Sequence, residues 1–206
     1  SVENNSNMSD NLSVSSFTID TTPPTLEETT VVSTLTNDNT SLSYTFSSTE
    51  GGTITIIGSC SSDNRTAVAD NMTVSFAALA DGTYSGCYIE VTDSAGNKVR
   101  KYVNQFTIDT IAPILDEITP VFTPTNDNLT LGYTFSSTEA GTITYGVCSG
   151  SPDNASKDNN TITFNALADD NYTNCKISVT DNASNTSDNL SVSSFTIDTV
   201  KPVLAE

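Results

Sequence analysis

The chain contains no histidine and no tryptophan, and only seven of its 206 residues are basic against 25 acidic ones, for a formal charge of −18. Each shortage removes a class of function. Without histidine there is no Ser-His or Cys-His couple to activate a nucleophile, and no glycine-rich phosphate loop occurs. No spacing of carboxylates singles out an acid–base pair, so an enzyme is not expected. So few cations cannot neutralise a phosphate backbone or an anionic bilayer, which argues against nucleic acid as a partner and against direct membrane insertion of this stretch. No apolar run approaches the roughly 20 residues of a spanning helix. No signal peptide is recognisable either, so any secretion signal or anchor is expected outside this sequence. A hydrophobic content of 35% suits thin sandwich cores rather than a large enzyme interior. Hard cations are the natural counterpart of the acidic excess, while the plainer reading is a surface kept soluble by Asp and Glu.

What is present is repetition. The string Phe-Thr-Ile-Asp begins at Phe17, Phe106 and Phe195, a period of 89 residues (17 to 106 to 195). Between these markers Tyr44 to Glu50 corresponds to Tyr133 to Glu139, Ala78 to Asp81 to Ala166 to Asp169, and Val91 to Asp93 to Val179 to Asp181. The expected organisation is a repeat over 20–108 and a second over 109–198, followed by a linker, 199–206. The opening residues 1–19 match Thr180 onward at twice the period and read as the last hairpin and final strand of an earlier repeat. An orphan strand of this kind is able to complete a neighbouring chain by strand addition.

Four cysteines form one pair per repeat, Cys60 with Cys87 and Cys148 with Cys175, each pair spaced by 27 residues (60 to 87, 148 to 175). Isolated cysteines without a CxxC, in a chain without histidine, do not fit zinc; a disulfide in an oxidising compartment fits. Period-two alternation runs through Leu42 to Phe46, Met72 to Phe76 and Cys87 to Val91, with turn-rich stretches between and no helical pattern competing. The spacing predicts strands A around Val31, B over Ser41 to Ser47, C over Thr53 to Gly58, a weak D, E over Met72 to Phe76, F over Tyr84 to Thr92 and G over Lys98 to Ile108. The fold class is therefore all-β: tandem immunoglobulin-like sandwiches of about seven strands, each with one internal disulfide. Tyr84 and Tyr172, each after a tight turn at the start of strand F, stand where sandwiches place a tyrosine corner. Strand C ends and strand F begins at the bottom of such a domain, so the paired cysteines join neighbouring strands rather than crossing the core between B and F. The alternating Tyr44, Phe46, Phe76, Tyr133, Phe135 and Phe164 read as core, not as a sugar platform.

Phe17 to Pro24, Phe106 to Pro113 and the hairpin Val91 to Asn97 resemble the bacterial immunoglobulin-like repeats of large secreted adhesins and biofilm-associated surface proteins. The resemblance covers essentially the whole chain. It implies an extracellular array at the cell surface, and calcium held between domains. The second hairpin departs from the pattern: Ser184 stands where the first has Gly96, and a less tight turn is expected there.

In this topology the linker before strand A, the B–C loop and the F–G loop share the top of the domain. Asp20, Glu50 and Asp93 should converge in repeat one, and Asp109, Glu139 and Asp181 in repeat two. Asp38 and Asp81, at the bottom of repeat one, face the second group, so five carboxylates surround one junction and offer the oxygen ligands that calcium prefers. The competing reading makes each Asp a turn builder bonding its own loop. Nine Asn-x-Ser/Thr sequons follow an Asp, at Asn11, Asn39, Asn64, Asn71, Asn128, Asn154, Asn171, Asn182 and Asn189; they are candidate glycosylation sites or plain Asp-Asn turns. Three functions fit these readings: a stalk whose partners are the neighbouring repeats of its own chain, a filament subunit joined to other copies through the orphan strand, or a repeat that binds a ligand through a loop.

Overall fold

The computed structural model of the protein describes residues 11–62 and 66–204, and among these all regular structure is β. Asn64 lies outside the described residues. The chain builds two immunoglobulin-like β-sandwiches in tandem, each stapled by one disulfide.

In the first sandwich one sheet holds β1 (Leu26–Thr30), β3 (Ser43–Ser48) and β6 (Asp70–Ser75), in the order β1-β3-β6. The facing sheet has the order β5-β4-β8-β9, from β4 (Gly52–Ile57), β5 (Thr66–Ala67), β8 (Tyr88–Thr92) and β9 (Lys98–Tyr102). Beyond it β2 (Leu35–Thr36) runs parallel to β10 (Phe106–Ile108), which pairs antiparallel with β7 (Gly82–Tyr84).

The second sandwich repeats the plan. Its first sheet contains β11 (Leu115–Thr119), β12 (Leu131–Ser137), β14 (Gly150–Ser151) and β16 (Asp158–Phe164). Its second contains β13 (Gly141–Tyr145), β15 (Asn154–Ala155), β18 (Lys176–Asp181) and β19 (Leu190–Ser191), with β17 (Asp170–Tyr172) paired to β20 (Phe195–Ile197).

Alternation explains the core. On β3 every second residue, Tyr44, Phe46 and Ser48, is buried; Val74 and Phe76 meet them from β6 and its end, and Ile54, Ile89, Val91, Phe106 and Ile108 close the layer from the facing sheet. Burying such side chains stabilises by about 1.5–3 kcal/mol each, before the entropy of ordering them is charged. The second core is built from the equivalent residues and shares none with the first. At the B–C turn, β4 approaches β8 so closely that a Cβ on Gly52 would lie 2.1 Å from the Thr92 carbonyl oxygen; at Gly141 the figure is 2.2 Å from Thr180.

Three expectations need correction. Strand A is not one strand around Val31: the register shifts between Glu28 and Thr30, Val31 is exposed in the crossover, and the chain resumes as β2 on the other sheet. Strands F and G are each interrupted, at residues 85–87 and 103–105, so the F–G pairing belongs to two ladders. The Ser184 turn is not looser. Ser184 adopts φ 76° where Gly96 has 94°, and its amide donates to the Asp181 carbonyl at 3.3 Å, as Gly96 donates to Asp93 at 3.3 Å. The closing bond from Asp181 to Asn185 fixes the turn, and the serine backbone takes the left-handed strain.

The disulfides Cys60–Cys87 and Cys148–Cys175 join the chain beyond the end of β4 or β13 to the start of β8 or β18, with Cα separations of 5.6 and 5.2 Å. Both tyrosine corners form: Tyr84 Oη donates to the Ala80 carbonyl at 2.8 Å, and Tyr172 Oη to Ala168 at 3.0 Å. Residues 11–20 belong to no strand and are exposed.

Candidate metal centre at the head of each sandwich

Three loops meet at the end of each sandwich where the preceding linker enters. The linker brings Asp20 or Asp109, the turn between β3 and β4 (β12 and β13) brings Glu50 or Glu139, and the hairpin after β8 (β18) brings Asp93 or Asp181. In each group one carboxylate oxygen per residue lies within 4.8 Å of the others. No other such group of His, Cys, Asp or Glu occurs among the described residues.

Local hydrogen bonds aim these carboxylates. Asp93 Oδ1 accepts from the amides of Ala95 and Asn97, both at 2.8 Å, and Oδ2 accepts from Asn97 Nδ2 at 2.9 Å. The same Asn97 amide donates to the Asp20 carbonyl at 3.2 Å, so one side chain ties hairpin to linker. Asn185 repeats this with Asp181 Oδ2 (2.9 Å) and the Asp109 carbonyl (2.8 Å). Ser48 and Ser137, both buried, donate to the Glu50 and Glu139 carbonyls at 2.6 Å and hold the B–C turn. Asn97 and Asn185 went unrecognised as site residues in the sequence; the signal was an asparagine four residues after the hairpin Asp in both repeats.

The electrostatics follow. Partial burial, then the negative charges of Asp109 and Asp181, push the Glu139 carboxyl above its ordinary range, with Lys157 opposing. Burial also pushes Asp93 upward, but the Asn97 side chain and the amides of Asn97, Ala95 and Gly96 outweigh it and hold the group below the usual carboxylate range. Asp109, Glu139, Asp181 and Lys157 line an open cleft of about 370 Å³, to which Leu35 of the first sandwich also contributes. A hard cation there would replace repulsion by coordination, and water would complete its shell.

Asp38 and Asp81 do not join the second triad. Asp38 Oδ1 accepts from the amides of Thr40 and Ser41 at 2.9 and 2.8 Å, and these bonds lower its pKa; it builds its own turn. Asp81 reaches the junction but accepts from the Thr110 hydroxyl at 2.9 Å, as Asp169 does from Thr199 at 2.8 Å. The junction carries a further bond, from Asn37 Nδ2 to the Ser184 carbonyl at 3.2 Å. Of the sequon asparagines, Asn11, Asn71, Asn154, Asn171, Asn182 and Asn189 are exposed, and Asn39 and Asn128 are half-buried.

Fold and site together define a class, tandem β-sandwiches with an acidic cluster where each linker enters. No protein-family model matches the chain, and no curated protein matches it in sequence. Among solved structures it is similar to the Clostridium thermocellum CbhA fibronectin(III)-like modules, at 11% identity over 84% of this chain and 94% of that one, with a TM-score of 0.44. It is also similar to a protocadherin gammaB7 EC3-6 cis-dimer structure, at 12% identity over 85% of this chain and 51% of that one, with a TM-score of 0.38. Likenesses this distant say nothing of function, and the assignment of the fold rests on the strand order and pairing above.

Proposed function

We propose that the chain is a run of spacer repeats from an extracellular bacterial surface adhesin, mechanical rather than catalytic, divided at 20–108 and 109–198 and stiffened by calcium at the head of each repeat. The observation that carries this reading is the duplication of one acidic triad, with its asparagine tie, at the point where a linker enters a disulfide-stapled sandwich. A linker that supplies a ligand to the next domain loses its hinge freedom when the ion binds. The disulfides favour an oxidising, extracellular setting.

Small-angle scattering and thermal melting with calcium and with chelator test the proposal. Calcium extends and narrows the distance distribution and raises Tm, and Asp109→Asn with Asp181→Asn abolishes both effects at the central junction. Identical profiles and melting in the two conditions remove calcium from the reading.

A further inference from the structure

The two sandwiches differ on the outer face of the sheet that carries β8. Tyr88 and Glu90 of β8 face outward beside Tyr102 and Arg100 of the edge strand β9, with Lys98 one step further along, opposite Thr92. Glu90 is 6% exposed beneath its own partners: Lys98 Nζ donates to Oε1 at 3.1 Å and Arg100 Nε to Oε2 at 2.7 Å. The guanidinium also lies 4.9 Å from the centre of the Tyr88 ring, and the Tyr102 ring, on a residue 69% exposed, leans on Tyr88 at 5.4 Å. Held in this way, Arg100 spends only its Nε on the protein among the described residues. The same face of the second sandwich carries Lys176, Ser178, Thr186 and Ser191, and its edge strand β19 is 2 residues long. Thr186 and Ser191 are exposed although the first sandwich adjoins that head, so the face stays open in a run of repeats.

A complementary strip lies on the second sandwich. Along the edge strand β11 and just before it, Ile114, Asp116 and Ile118 are exposed, the isoleucines to 63 and 49%. The first sandwich has Thr25, Glu27 and Thr29 at these places, as the pairing of Asp116 with Ser136 and of Glu27 with Ser47 establishes. Asp116 and Asp158 line, with Lys157, an open cleft of about 370 Å³ beside Ile114. Each sandwich thus departs from the other by an exposed strip of apolar and charged side chains on an edge strand, and the two strips have opposite sign.

We propose that the β8–β9 face of one copy of the chain docks on the β11 strip of a second copy. Alternate residues of a strand stand about 6.5–7 Å apart, so Arg100 opposite Asp116 sets Tyr102 against one isoleucine and the aliphatic stem of Lys98 against the other. The guanidinium meets the carboxylate through the terminal amino groups that Glu90 leaves free. Charge selects the partner: Lys98, Arg100 and Lys101 are three of the seven basic residues, and a second copy brings 25 acidic ones to meet them. The apolar steps then select β11 among acidic surfaces, because Glu27 is flanked by threonines where Asp116 is flanked by isoleucines. The two surfaces differ, so the contact is heterologous, and each copy gives one and receives one.

Cations on an edge strand have a simpler use, which is to keep the open edge from pairing with another strand. Sedimentation velocity of the full chain separates the two roles. It is run up to millimolar protein in about 0.15 M salt, where a Debye length of about 8 Å screens the repulsion between acidic copies. The native chain associates reversibly. Arg100→Gln with Tyr102→Ser, which leaves Lys98 on Glu90, is monomeric. So is Ile114→Thr with Asp116→Asn and Ile118→Thr, which borrows the threonines of the first sandwich. An equimolar mixture of these two forms, each keeping the surface that the other has lost, gives a one-to-one complex. A native chain that stays monomeric throughout overturns the proposal, whatever the variants do. Native-like association of either variant alone also overturns it, as does a mixture that stays monomeric while both forms melt as the native chain does. Stronger association of the Arg100→Gln, Tyr102→Ser form than of the native chain assigns these residues to guarding the edge and overturns it too.

Discussion

When a disulfide-stapled sandwich is pulled from both ends, the bridge decides how much chain it can release. The bridge between Cys60 and Cys87 closes a stretch with a sequence separation of 27, and the same separation recurs at Cys148–Cys175. A fully extended residue spans about 3.3–3.6 Å, so each intact bridge withholds roughly 90–95 Å from the unfolding length of its repeat. The same constraint acts on the unfolded chain at rest. For a loop of this size the chain-entropy relation gives about 3.5 kcal/mol of stabilisation. With an unfolding entropy of about 2.1 cal/mol/K per residue, that corresponds to a fall in Tm of roughly 20 °C per repeat on removing the bridge. The perturbation is Cys60→Ser with Cys87→Ser, alongside reduction of the native chain. Single-molecule pulling should show the unfolding step of the first repeat lengthened by the withheld contour while that of the second is unchanged. Thermal melting should show one early transition and one native one. Equal step lengths with and without the bridge would refute the claim that it shields chain from force, and a Tm fall of only a few degrees would refute the entropic account.

Three further outcomes follow from differences between the repeats. Tyr44 Oη donates to the Glu28 carboxylate at 2.8 Å, whereas the Glu117 carboxylate beside the buried Tyr133 Oη also accepts from the Ser193 amide and hydroxyl, at 2.9 and 2.6 Å, and leaves that hydroxyl the more weakly satisfied. Tyr44→Phe should cost about 1.5–3 kcal/mol in urea unfolding, and Tyr133→Phe should cost less; equal costs would show that the two hydroxyls are equivalently satisfied. At the hairpins, Gly96→Ser should lower the Tm of the first repeat by the strain of a left-handed serine, about 1 kcal/mol, while Ser184→Gly leaves the second unchanged or slightly raised. The pH profile in chelator tests the triad. A carboxyl raised in the fold, as Glu139 is, stabilises fully below its unfolded value and loses that contribution as pH rises through its folded value, whereas Asp38 and its counterpart Asp127, lowered by the Thr130 hydroxyl and the Leu129 and Thr130 amides, stabilise above their unfolded values and lose that as pH falls. Glu139→Gln should flatten the first of these slopes, and calcium should do the same to the native chain, when Tm is followed from pH 4 to 7.

Much of the fold could be read from local pattern, because the forces that set it are local in sequence. Alternation along Leu42 to Phe46 reports a half-buried strand wherever that strand is placed, and a cysteine pair recurring at one spacing reports a bridge. The tyrosine after Asp81 and Gly82 carries its partner, the Ala80 carbonyl, in its own turn. The two triads were legible because topology alone sends three particular loops to one end. What lay beyond the sequence depended on choices among partners distant along the chain. Asp38 and Asp81 had the right loops and the right charge, but backbone amides in one case and the Thr110 hydroxyl in the other were nearer than the triad. The split of strand A follows from the crossover of Val31 between sheets, and the engagement of Glu117 by Ser193 joins residues distant along the chain; neither has a signature in the residues themselves.

The final contrast is contained in one string. Asn-Leu-Ser-Val-Ser-Ser-Phe-Thr-Ile-Asp has the composition and alternation of a strand at both of its occurrences, and the sequence determined that much. Which partners bury Phe195, 1% exposed, was decided by tertiary structure alone. A single strand leaves its backbone groups and apolar face unsatisfied until a sheet supplies partners, and for residues 189–198 the fold supplies Tyr172, Ile177 and Phe164.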